Sequence, residues 1–192
     1  MINRDRVINA VLFFAQKTKY CGKIKLFKLL YLLDFEHFKQ TGKSATGYEY
    51  QAWKFGPVPT SLMEEWEKFE ADLGAVVHIE LEQVFDHVRQ TVAPNEGAEF
   101  NDEDFTPRQL RIMDQLSLQY ATTRSPEMID VTHVANGAWD KIYRAGAGAY
   151  QSIPYELAIP EDDANRDLLL DRAAEYAMYT ASLSSVGDSP IH

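Results

Sequence analysis

Apolar residues at Val7, Ile8, Val11, Leu12, Phe14 and Ala15 recur close to the 3.6-residue helical period. The spacing predicts a helix over residues 4–19, with Asn3 as its N-cap. After Gly22 the pattern changes, and residues 23–40 are apolar on nearly every side. At about 100° per residue, Lys25, Lys28, Leu32, Glu36 and Lys39 fall within about 80° of one another. Four of these five are charged, which predicts a central helix buried everywhere except along one wet stripe. Thr41-Gly42 stops it. Aromatic and polar residues then interleave from Tyr48 to Phe55 as in a strand, with Gly56-Pro57 as the turn.

Thr60 or Ser61 is placed to cap a helix through Leu73, with Glu64 and Glu65 in the first turn, where the helix dipole favours acids. Val77, Ile79 and Leu81 alternate, as do Val84, Val88 and Val92, and the register change between the two sets predicts a turn or bulge near Gln83. Thr106-Pro107 supplies an N-cap and a proline at N1 for a helix to Tyr120. Ser125-Pro126-Glu127 starts a shorter helix to Val134, and Trp139–Tyr143 makes a further helical turn. Residues 153–160 read as extended. A last helix follows the acidic run Glu161-Asp162-Asp163 and extends to Leu183, with residues 184–192 patternless and expected to fray. The expected fold is mainly α with a small antiparallel β element (α+β), forming a single compact helical domain.

At 192 residues, 45% hydrophobic and 25% charged, the chain is long enough for one well-buried core. No apolar run reaches the length of a membrane span, and Met1–Arg6 lacks the character of a signal peptide. The expectation is a cytoplasmic protein with no membrane contact. Cys21 is the only cysteine, which excludes an intrachain disulfide. Charge is unevenly placed within the net −10. Residues 1–54 carry ten Lys/Arg against four Asp/Glu, and the remainder carries nine against twenty-five. So acidic a body repels phosphate backbones and disfavours nucleic acid, while the basic first third retains the capacity for a local contact with an anionic partner.

Asp34 falls on the apolar side of the central helix, where a carboxylate must be paired, hydrogen-bonded or protonated. It either belongs to a polar site or accepts hydrogen bonds from the loop between Thr41 and Tyr50. Asp34 and His37 have a spacing that can hold a metal, with His78, His87 or His133 as further ligands, but no metal-binding framework accompanies them. Cys21 lacks an activating motif, and the glycines form no phosphate-cradling loop. No catalytic residue, cofactor or metal is therefore expected. Tyr20, Tyr31, Tyr48, Tyr50, Trp53 and Phe55 are dense enough either to seal a core edge or to form an adhesive patch.

One run of the chain is more specific than any of these. Lys25-Leu26-Phe27-Lys28-Leu29-Leu30-Tyr31, then Asp34, Thr41-Gly42, Thr46-Gly47, Tyr50-Gln51-Ala52 and Gly56-Pro57-Val58-Pro59 together resemble the signature of the Panacea domain, the SocA-like antitoxin family. Phe105-Thr106-Pro107, Val131-Thr132-His133 and Gly137-Ala138-Trp139 are similar to its downstream half, so the resemblance spans roughly residues 5–160. The helix at 161–183 is expected to pack on the same domain. The resemblance implies an antitoxin that neutralises a toxin, encoded by the adjacent gene, through direct protein contact, or that delivers it to a cytosolic protease as an adaptor. Lys25, Lys28, Tyr48, Tyr50, Trp53, Lys54 and Phe55 are the expected partner-binding residues, and Asp34, Gly56, Pro57 and Trp139 the expected structural ones. A nucleic-acid-binding regulator with a winged-helix-like unit and a metal-dependent enzyme are the alternatives.

Overall fold

The computed structural model describes residues 2–186. Helix α1 (Arg4–Lys17) begins at Asn3, whose side chain accepts from the Arg6 N–H. Helix α2 (Lys23–Thr41) is the axis of the molecule, packed against α1 and half of the later elements. The C-cap of α2 is Gly42 in the left-handed region, φ 74°, a conformation open to glycine. A Cβ there would lie 2.5 Å from the Leu169 carbonyl, so the glycine also lets the last helix approach.

The wet stripe expected along α2 is corrected over its first half. Lys25 and Lys28 are buried, Leu32 is half-buried, and only Glu36 and Lys39 reach solvent. Later elements close over that side, where the aliphatic lysine stems pack like other apolar chains and main-chain carbonyls receive the ammonium groups.

Strands β1 (Tyr50–Trp53) and β2 (Gly56–Pro59) pair antiparallel, Tyr50 opposite Pro59 and Trp53 opposite Gly56. The turn is therefore Lys54-Phe55, and Gly56-Pro57 begins the return strand instead of forming the turn. The other edge of β1 is covered by residues 150–153, through Ala52 N–H to Gln151 and Ile153 N–H to Tyr50.

The single helix expected over 60–73 is two short ones, α3 (Thr60–Glu64) and α4 (Ala71–Val76). Between them the chain bends so that Trp66 enters the core, edge-on to Phe27 and Phe69. Arg4 clamps the bend, with its guanidinium on both Glu65, at 2.6 and 2.9 Å, and Asp72, at 2.6 and 2.8 Å. Strands β3 (Val77–Val84) and β4 (His87–Pro94) form a second antiparallel pair, turning at Phe85-Asp86, two residues beyond Gln83.

Helix α5 (Pro107–Gln119) has a reciprocal capping box between Thr106 and Gln109. Helices α6 (Ser125–Thr132) and α7 (Ala138–Tyr143) follow. The extended stretch expected at 153–160 contains a 3-10 turn, Tyr155–Ala158, which stacks Tyr155 on Phe38. Helix α8 (Arg166–Val186) buries Leu169, with Leu170 and Ala173 partly covered, and residues 174–182 lie mostly exposed. Of the tail expected at 184–192, residues 184–186 continue α8 and 187–192 lie outside the described residues. The architecture is mainly α with two small antiparallel sheets, an α+β fold built around α2.

Candidate functional site

The buried charged residues of α2, Lys25, Lys28 and Asp34, each tie a different segment to the helix. Asp34 is fully buried, and its Oδ1 accepts from the backbone N–H groups of Ala45 (2.7 Å) and Thr46 (2.6 Å). Its Oδ2 accepts from the Thr46 hydroxyl (2.5 Å) and the Tyr50 hydroxyl (2.7 Å). Burial pushes this carboxyl above the ordinary range, and the donors from Thr46, Tyr50 and Ala45 pull it back. With both oxygens occupied, Asp34 anchors the loop that leads into β1. His37 ties down the start of the same loop, its Nδ1 2.7 Å from the Lys43 carbonyl.

Lys28 donates to the Pro57 carbonyl at 2.9 Å. Burial lowers its amine to about 7. Directly above it, Gly56 stands at φ 100°, and a Cβ there would fall 2.6 Å from Lys28 Cε and 2.9 Å from the Thr132 hydroxyl. Only glycine combines that backbone with that proximity. Lys25 donates to the carbonyls of Lys19 (2.8 Å) and Tyr120 (2.6 Å), fastening the chain before α2 to the end of α5. Trp139 donates from its indole to the Trp53 carbonyl at 3.0 Å and stacks between His133 and Tyr143.

Four of the seven residues expected at a partner contact are thus inside the protein. Lys25, Lys28, Tyr48 and Tyr50 are buried, and that part of the expected surface is corrected. Their density of apolar neighbours and their polar ties belong to the framework. The other three stay together at the surface. Trp53 is half-buried, Lys54 is exposed with its ammonium 5.5 Å from the Phe55 ring, and Phe55 is 58% exposed.

Tyr150, which the sequence reading missed, completes this patch. It is 64% exposed and meets Trp53 edge-on, ring centroids 5.2 Å apart. It arrives from ninety-seven positions downstream because residues 150–153 line the free edge of β1. The only local signal is its place after the small-residue run Ala145–Ala149. Beyond the patch, a groove of about 810 Å³ between α2, α5 and α6 has Tyr31, Phe35 and Leu116 in its walls and Glu36, Lys39 and Lys141 among its polar residues.

Cys21 is buried and its thiol is pushed up to about 11 by burial. Burial also lowers His37 and His133, the latter helped by the nearby Lys28 charge. Among the described residues, no three His, Cys, Asp or Glu side chains gather as a metal site, and no helix is long and apolar enough to cross a membrane.

The family model described as "Antitoxin SocA-like, Panacea domain" matches residues 26–140, more than half of the chain. The match runs from the first turn of α2 into α7 and leaves α1, Tyr150 and α8 outside. No curated protein and no solved structure matches. The chain belongs to the SocA-like antitoxin family with a Panacea domain.

Proposed function

We propose that this protein is the antitoxin of a toxin–antitoxin pair and that it neutralises its cognate toxin by direct protein–protein contact, with no catalysis of its own. Membership of an antitoxin family is the observation that carries this reading. The exposed cluster of Trp53, Lys54, Phe55 and Tyr150 supports it physically. Large aromatics beside a cation have the composition of interface hot spots, and here they are held rigidly by the Trp139–Trp53 hydrogen bond and by the strand pairing below. The framework residues of α2 serve this surface indirectly, since Lys28 and Gly56 set the path of the turn that presents Phe55.

The toxin is the product of the adjacent gene. Co-expression tests the proposal: the wild-type protein restores growth to cells making that product, and the two co-purify. Trp53→Ala and Phe55→Ala, each checked to be folded, lower the affinity at least tenfold, the usual effect of removing a hot-spot aromatic. Full rescue by both variants removes this patch from the interface. Absence of both rescue and co-purification for the wild type removes the antitoxin reading itself. Delivery of the toxin to a cytosolic protease starts from the same contact. It is distinguished by a toxin half-life that shortens on co-expression, against one that stays constant under plain neutralisation.

A further inference from the structure

The β3–β4 hairpin carries an apolar face that starts inside the core and continues out of it. Paired residues of an antiparallel ladder share a face, so Val77 with Pro94, Ile79 with Val92, Leu81 with Gln90, and Gln83 with Val88 line one side. Val77 and Val92 are buried at the root and Ile79 is half-buried. Leu81 is 68% exposed, Val88 55%, and Phe85 at the tip 95%. The opposite side has Ala93 buried at its root and then carries polar residues, with His78 near Glu80 and Arg89 on Glu82 at 3.0 Å. Beyond the core this side of the ribbon therefore presents Leu81 and Val88, beside Gln90 and Gln83, to the exterior.

Phe85 adds an independent oddity. It stands at φ 53° in a two-residue connection, where glycine or asparagine is ordinarily favoured. A bulky ring in that conformation strains the backbone, and an almost fully exposed ring returns no packing for it. Neither the conformation nor the exposure helps the isolated chain fold.

We propose that the outer half of this hairpin, Leu81, Phe85 and Val88, is a second docking element for the toxin, with the Phe85 ring seated in an apolar pocket on a basic surface. This rests on the antitoxin reading above. Charge selects the occupant. Residues 60–104, which include the hairpin and its root, carry thirteen Asp/Glu against two basic residues, Lys68 and Arg89. Arg4 offsets only Glu65 and Asp72. A cationic protein surface is drawn to this region, whereas a second copy of the chain would set the same acidic collar against itself, and a nucleic-acid backbone is repelled. The pair β3–β4 is a two-stranded sheet whose β4 edge is already used at its root, where the Val92 N–H donates to the Cys21 carbonyl, so the edge left for an added strand lies nearer the tip.

Phe85→Gly separates binding from folding. It relieves the left-handed conformation and removes the exposed ring, so the melting temperature stays the same or rises. Affinity for the co-expressed product of the adjoining toxin gene falls at least tenfold. A Leu81→Ser/Val88→Ser double variant, chosen at exposed positions, falls likewise with an unchanged melting temperature. Wild-type binding that both variants retain within twofold overturns the hairpin proposal and leaves the antitoxin reading standing. A wild type that neither binds nor rescues overturns both. A dimer of the protein alone by light scattering, converted to monomer by Phe85→Gly, also overturns the proposal, because the hairpin then serves self-association.

Discussion

At the scale of single residues, buried charge does structural work here. Asp34 satisfies four donors that would otherwise be stranded in a dry interior. Asp34→Ala is expected to lower the free energy of unfolding by about 3 kcal/mol or more, since each orphaned buried donor carries a desolvation penalty. Asp34→Asn keeps an acceptor for the two backbone groups and should lose less. Chemical denaturation of the two variants checks the order. Lys28 makes a pH-dependent contribution of the opposite character. Its folded amine titrates near 7 against an ordinary 10.5, so between these values the unfolded chain binds the proton that the folded chain has shed. Stability must then rise with pH from about 7 to about 10.5, and below 7 the fold bears the full cost of burying a charged amine. At about 1.4 kcal/mol per unit, that cost is at most about 4–5 kcal/mol. Lys28→Met should flatten this rise and be relatively more stable at pH 6 than at pH 9. Parallel melting curves of variant and wild type across that range decide it, and an unchanged slope contradicts the assignment.

At the scale of elements, α2 shows what the pattern could and could not reveal. Its span, its centrality and its Gly42 stop are legible from apolar density and a C-terminal glycine. The inward course of Lys25 and Lys28 is not, because their carbonyl acceptors come from residues 19, 57 and 120, and helical periodicity carries no information about such distant partners. The same limit applies to Trp66. Capping signals and periodicity favour one helix over 60–73, yet burial of that ring against Phe27 and Phe69 breaks it in two. The hairpin turn lay two residues beyond its expected place because Phe85 adopts a conformation its residue type disfavours. Of the surface patch, Trp53, Lys54 and Phe55 could be read locally, whereas Tyr150 joins only through tertiary pairing on the edge of β1. The spans of the elements are therefore more legible than the placement of single side chains, since periodicity and caps are local whereas the partners of Lys25, Lys28, Trp66 and Tyr150 are brought by tertiary packing.

At the scale of the whole molecule, charge and framework divide the labour. The basic residues of the first third are partly absorbed into the interior through Lys25 and Lys28, so the exterior is more uniformly acidic than the chain order suggests. That distribution favours fast encounter with a cationic partner, with exposed aromatics supplying affinity after contact. Association with the toxin should accordingly slow at least tenfold between low and high salt, while the dissociation rate changes far less. Every expectation of toxin binding above depends on neutralisation by stoichiometric contact without chemistry. Titration of the purified protein into an assay of the purified toxin's own activity, with no protease present, addresses it most directly. Inhibition should saturate at a fixed, near-equimolar ratio and reverse when the two proteins are separated. Inhibition by a small fraction of an equivalent, increasing with time and persisting after separation, would reveal turnover and contradict stoichiometric neutralisation.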